Sequence, residues 1–415
     1  MFRALWTASL ASNFGIWVHD VGVAWLMTDL AAGPQWVTLT QTAVMLPFFL
    51  LALPAGAIAD VVDRRRLLLA TQLWVPAAAA TLGVVTLCGW ASPPVLLATT
   101  FCLSCGLAMA APAWQTVIPE LVPRRELPSA FTLAGVSFNI ARSLGPAIGG
   151  LLVAWAGPGA AFLLNAASYA AVATVVWRWR PAPRTPDPAR PGFAAALLAG
   201  PTYVAGDPVM RAASARMAAF ILPAIALWGM LPLVARYRLG LSSTGYGLML
   251  GCLGGVALLG AALLPRLRSL FSADAIVAGG SVVFAAALLG AGTLTDARLL
   301  APVLVAGGTA WMTVLTTLHA TAQMRLPDHV RARAMSVYLL VFAATVAAGA
   351  AGWGAVAERY GIGTALPAAA GTMLVLAAAA AARFRLSGER DPAPLRTPLV
   401  PSARPVTAPQ PTAGA

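Results

Sequence analysis

Asp20 and Arg142 each stand inside an apolar run of the chain, where lipid rather than water is the expected surrounding. A charge in hydrocarbon is costly, so groups of this kind are candidates for a substrate or proton pathway. The competing reading is a static buried charge network, or, for Asp20, a place among the lipid headgroups. Asn13, Trp17 and Asp20 follow i, i+4, i+7 spacing and share one helix face, as do Asn139 and Arg142 on another. Gln41, Gln115, His319 and Gln323 are softer candidates. Gln115 and His319 fall near helix ends, where a gate and a solvated boundary are equal readings, and a satisfied structural role is the simpler one for His319. Trp17, Trp114 and Trp311 offer aromatic contacts, although interfacial anchoring is the commoner use of Trp.

The chain shows no sign of other chemistry. It contains no nucleophile–base constellation, and no GxxxxGK[ST] loop that would make ATP a direct energy source. Cys102 and Cys105 form a CxxC inside an apolar run, and like Cys88 and Cys252 they read as small packing residues. Neither an enzyme nor a metal or organic cofactor is expected.

The elements that must hold these residues follow from composition. Hydrophobic residues make up 59% of the 415 and charged residues 10%, against about 25% in soluble proteins. Apolar segments fall at approximately 4–29, 38–59, 67–90, 94–117, 129–155, 159–178, 212–234, 244–264, 274–293, 298–322, 332–356 and 362–383. Each is near the length of about 20 residues that spans a roughly 30 Å hydrocarbon core, which predicts twelve membrane helices. Met1–Ser12 reads as the start of a retained first helix rather than a leader.

All 27 basic residues are arginines, and the net charge is +13. Their clusters sit between apolar runs, so they read as membrane topology, not as a nucleic-acid surface. Most lie in alternate connections; the opposite ones hold Arg236, Arg238, Arg298 and Arg359. That asymmetry predicts both termini in the cytoplasm. The lack of Lys hints at a GC-rich bacterial genome.

The longest connection, 179–211, is rich in Pro and Arg and divides the chain into six-helix halves, 1–178 and 212–385. The tail, 386–415, reads as disordered. A shift of 204 residues aligns Gly56 with Gly260, Arg64 with Arg268, Gly145 with Gly349, Gly150 with Gly354 and Gly157 with Gly361. It also sets Gln115 on His319. With an even number of helices per half, this is a parallel repeat.

Between helices 2 and 3 the chain reads Gly56-Ala-Ile-Ala-Asp60-Val-Val-Asp63-Arg64-Arg65-Arg66. Gly56 would permit close helix approach, Asp60 could cap a neighbouring helix, and the arginines would anchor the loop. This stretch resembles the signature loop of the major facilitator superfamily, with Asp63 where a second Gly is usual. Ile118–Leu127, Asn139–Gly150, Phe162–Ser168, Leu231–Arg236 and Gly245–Leu248 resemble the enterobactin-exporter-like branch, which includes transmembrane secretion effectors and macrolide-efflux relatives. The resemblance covers about 5–380.

Gly145-Pro146 with Gly149-Gly150 also resembles the helix-5 antiporter motif of proton-driven exporters, in which Pro bends the helix and Gly allows tight packing. The resemblance implies a major facilitator fold with a central cavity. It further implies a proton-coupled exporter of a drug or siderophore-like molecule, acting as a monomer in a bacterial inner membrane. Asp20 would exchange a proton with that cavity, and Arg142 would hold a substrate anion or tune the carboxylate. An importer of the same fold, or a membrane scaffold or sensor, are the alternatives.

Overall fold

A computed structural model describes residues 1–30, 33–179, 204–255, 257–324, 326 and 328–386. Most of the expected linker and nearly all of the tail lie outside the described residues. So do the side chains of Asp60 and Gln115. The described residues are helical, with no strand among them.

The helices are α1 (Phe2–Asp29), α2 (Pro34–Val61), α3 (Arg64–Leu87), α4 (Pro93–Leu121), α5 (Leu127–Arg178), α6 (Pro208–Leu233), α7 (Ser243–Gly254), α8 (Ala257–Leu270), α9 (Ala273–Thr293), α10 (Ala297–Met324), α11 (Asp328–Tyr360) and α12 (Ile362–Arg383). Their starts are written locally. Pro opens α2, α4 and α6, where its missing N–H costs nothing. Asp63, Asp207 and Ser272 accept backbone N–H groups at the starts of α3, α6 and α9.

Nine helices among the described residues are long and apolar enough to cross a membrane. α1 is not one of them, because Ser12, Asn13, His19 and Asp20 dilute its apolar character. Nor are α7 and α8, of 12 and 14 residues, each shorter than a crossing. The expected runs 129–155 and 159–178 are joined in the single element α5. Gly157, at φ 79° and ψ 165°, turns the chain between its two arms. Only Gly adopts that conformation cheaply. Its counterpart Gly361, between α11 and α12, stands at φ 81° and ψ 158°. The 204-residue register thus places the same turn at both positions.

Helices α1, α3, α4 and α5 pack mainly on one another, as do α6, α8, α9, α10 and α12, whereas α2, α7 and α11 pack most heavily across the two groups. The two groups meet chiefly where α2 crosses α11 and where α5 crosses α7. One end of the bundle carries Met1 and the α2–α3, α4–α5 and α10–α11 connections; we call it the near face. The other carries the α1–α2, α6–α7 and α11–α12 connections and is the far face. Among the described residues, the hydrogen bonds joining the groups run from mid-depth to the far face, through Arg142 and Ser143 to Gly150 on α5 and from Ala347 to Glu358 on α11.

The near half of α5's first arm is bare on two opposite sides. Phe131 and Phe138 are exposed on one, and Leu133, Val136, Ile140 and Leu144 on the other. Ala130, Ser137 and Ala141 form the buried strip between them.

Candidate functional site at the seam between the helix groups

α1 is held by both arms of α5. On one side Trp17 and Val18 rest on Gly145 and Gly149. A methyl group at Gly145 would lie 2.6 Å from Trp17 Cβ, and one at Gly149 would lie 3.0 Å from Val18 Cα. The helix-5 glycines therefore make the tight packing expected of them. Gly150 serves a different neighbour: its position is closed by Ser243 and by Gly247 Cα, 3.1 Å away on α7. Pro146 sits between them within an α5 arm that stays helical; the break in α5 is at Gly157.

On the other side of α1, Gly15, His19 and Gly22 form a stripe that packs on Phe162, Asn165 and Ser168 of the second arm. His19 is 3% exposed, its ring centroid 4.9 Å from that of Phe162. Neither ring nitrogen has a hydrogen-bond partner, and neither polar atom of the Asn165 amide has one. Sequence reasoning passed over His19. The signal available was its i+4 and i−3 spacing to Gly15 and Gly22, which marks a close-packed helix face.

Asp20 is only partly buried on α1, five residues before Trp25, whose ring stacks on that of Tyr246 of α7 at 6.1 Å. Asn13 donates to Ser137 Oγ at 3.2 Å, tying α1 to α5. Asn139 is not gathered with Arg142: its amide donates to Gly135 O of its own helix at 2.8 Å. Gln41 is half-buried on α2.

Arg142 reaches across the seam, its Nη1 2.9 Å from Met312 Sδ on α10. No ion pair joins it to Asp20, or to any carboxylate among the described residues. His319 and Gln323 bond each other at 2.9 Å near the end of α10, and the His319 ring meets Tyr338 edge-on.

The far face is closed by charge. A π turn at Val234–Arg238 presents Arg236, which pairs with Asp29 and lies 5.2 Å over the Trp25 ring. The Tyr237 hydroxyl donates to Thr28 O at 3.1 Å. On the other crossing, Glu358 of α11 accepts the Gln35 N–H at 3.1 Å.

At the near-face loop the structure shows a cap at a position the sequence reading did not assign. A methyl at Gly56 would meet nothing within 4 Å among the described residues. The cap on α3 comes from Asp63, whose Oδ1 accepts the Arg66 N–H at 2.9 Å. Asp63 occupies the N-cap, whereas Asp60 falls inside α2. Arg64 pairs with Glu120 of α4 and Arg65 donates to Trp177 O, so the basic cluster binds α3 to α4 and α5.

A membrane-buried, two-group helical bundle with ionisable groups at its seam matches known proteins at the level of family. The model of the transmembrane secretion effector family matches residues 1–401. This chain belongs to that family. It is similar to the staphyloferrin A transporter of Staphylococcus aureus, 27% identical over 171 residues, which cover 41% of this chain and 43% of that one. The MFS-type transporter y4rN of Sinorhizobium fredii is 29% identical over 234 residues, covering 54% and 56%. The chain thus spans about half the length of these curated relatives.

Its fold is that of major facilitator transporters. A bacterial homologue of the lysosomal transporter Spinster, in an inward-facing and occupied conformation, superposes with a TM-score of 0.76 at 15% identity. That match covers 94% of this chain and 98% of that one. A point mutant of the nucleoside transporter NupG gives 0.73 at 14% identity over 92% and 100%. The chain is thus a multi-span membrane protein of the transmembrane secretion effector family with the fold of these transporters.

Proposed function

We propose that this transporter exports a small molecule across a bacterial inner membrane by proton-coupled alternating access. The observation that carries the reading is that, among the described residues, the hydrogen bonds joining the groups lie from mid-depth to the far face, with Arg142 at the seam. Counting α1, the α7–α8 pair and the second arm of α5 as crossings gives twelve helices, in halves 1–178 and 212–385. These rock about the seam. The near face is cytoplasmic, by its excess of arginine, and the closed far face is external. Asp20 takes up a proton when the seam opens outward and releases it inward. The monomer is complete, since each half supplies its side of the path.

Everted vesicles that carry the protein test this. An inward-acid gradient should drive accumulation of the exported compound, and Asp20→Asn should abolish it while leaving the amount of folded protein unchanged. Uptake in right-side-out vesicles instead would reverse the direction. Flux indifferent to the gradient and to Asp20 would remove proton coupling.

A further inference from the structure

We propose that His19 is a second proton-binding group of the transporter, shut away while the far face is closed and reached by water once it opens; this rests on the transport reading above. His19 of α1 and Asn165 of the second α5 arm are 3% and 1% exposed. Both imidazole nitrogens and both polar atoms of the amide lack a partner. The two residues lie in one strip. The His19 ring rests on Phe162, and Asn165 Oδ1 stands 2.7 Å from where a methyl at Gly15, one turn before His19, would be.

At its glycines the strip is closed to water: a methyl at Gly22 would lie 2.9 Å from Phe162 Cε1. An imidazolium needs acceptors for two N–H groups. Here it has none, so the ring is neutral while the strip is closed. Among the described residues away from the two faces, the charged groups and phenols on α1 and the elements packed against it are Asp20 of α1, Arg142 and Tyr169 of α5, and Tyr246 of α7. None of them bonds either ring nitrogen.

Opening of the far face releases this part of α1. About three turns beyond His19, Asp29 pairs with Arg236, and Thr28 O accepts from Tyr237, both on the second group. Gly15 and Gly22 put no side chain into α5, so α1 can turn or slide on the second arm without unlocking interdigitated side chains. Water entering the strip supplies the missing acceptors, and the ring regains the ordinary proton affinity of imidazole. A proton bound only in the open state favours that state, so acid shifts the protein toward it.

This linkage is tested without a substrate. Full-length protein in phosphatidylcholine nanodiscs carries Thr38→Cys, Cys88→Ser and Asp20→Asn, the last to silence the carboxylate. Thr38 is buried at the α2–α11 crossing, so its labelling by a maleimide, relative to a free thiol at the same pH, follows the open fraction. An imidazole titrating at about pH 6.5 raises that fraction about tenfold between about pH 7.5 and 5.5. His19→Gln should flatten the rise, and His19→Asn serves if the glutamine variant does not fold. If Asp20→Asn does not fold, the comparison is made with Asp20 in place, and His19→Gln should remove part of the rise. As a check that keeps the histidine, diethyl pyrocarbonate acylation of His19, located by mass spectrometry at one pH, should be slow in the closed protein. It should rise in step with Thr38→Cys labelling when Asp29→Asn and Glu358→Gln are added.

A rise that persists in His19→Gln, or no rise in the Asp20→Asn protein, overturns the proposal and leaves Asp20 as the proton site of the transport reading. Acylation in the closed protein as fast as that of free histidine would show a ring already solvated and also overturns it. A rise that depends on His19, in a protein that drives no gradient-linked export, keeps the site and loses only the transport reading.

Discussion

Glu358, on α11, completes the start of α2: its carboxylate accepts the Gln35 N–H at 3.1 Å and stands where a side chain at Gly33 would be. A helix start exposes unpaired N–H groups and a partial positive charge. Here the group that satisfies one of them comes from the other helix group, so the cap forms only while the far face is closed. The Asp29–Arg236 pair has the same property on the neighbouring crossing.

Weakening both contacts should open the far face. The exposed ion pair is worth about 0.2–1 kcal/mol and the cap about 1 kcal/mol, together near a tenfold shift in population. Thr38→Cys, buried beneath Gly354 in the closed state, reports it in a Cys88→Ser background. Labelling by a membrane-impermeant maleimide should rise several-fold when Asp29→Asn and Glu358→Gln are added. An unchanged labelling rate would show that the apolar crossings alone hold the face shut.

The repeat-related glycines separate the crossings from the loop. Gly150 and Gly354 each face a helix of the other group, at Ser243 and Gly247 and at Thr38 respectively. Gly150→Ala should lower the melting temperature in detergent by several degrees, as overpacking of about 1–3 kcal/mol does. Gly56→Ala, with open space around it, should leave the melt unchanged or slightly raised by the better helix propensity of Ala. If Gly56→Ala then loses transport, the close approach at this loop belongs to the other conformation.

How much of this was legible in the sequence differs by residue. Asp20 and Arg142 stood out because charges are rare in apolar runs; in the structure Arg142 reaches Met312 of α10. The 204-residue register proved informative at Gly157 and Gly361, where backbone geometry demands glycine. The partners were not legible: nothing in the order of residues says that Arg64 meets Glu120 or that Arg236 meets Asp29, since each pairing depends on how separate helices pack. Gly56 could not be resolved from sequence, because glycine marks both close approaches and ordinary helix positions.

Arg216 and Asp274 form a pair at the near face of the second group, with Arg216 3% exposed and Asp274 also accepting the Leu386 N–H at 3.2 Å. Removing one partner leaves a buried charge. Arg216→Met should therefore be milder than Asp274→Ala, which strands the guanidinium. We expect Asp274→Ala to cost about 3 kcal/mol, the low end for buried pairs because Asp274 keeps some exposure. The double variant should recover part of that loss. Denaturant titration of the four proteins in one detergent measures the coupling, and strict additivity would show the two charges to be independently solvated.

His19 presents the opposite case, a polar group whose removal should stabilise. Each ring nitrogen buried without a partner forfeits hydrogen bonds to water at a cost of about 1–3 kcal/mol, and the same holds for the Asn165 amide one turn along the facing helix. Leucine in place of His19 keeps an apolar contact with Phe162 and removes two orphaned atoms. His19→Leu should melt higher than wild type, or at worst equal to it. A helix face otherwise built from Gly15 and Gly22 has no packing need for an imidazole, so its presence points to use in another conformation, where α1 and the second arm of α5 admit water. Gradient-driven flux of His19→Leu should then fall although the fold is firmer. Full flux with a raised melting temperature would make His19 a mere packing residue, and a lowered melting temperature would mean that water already satisfies the ring.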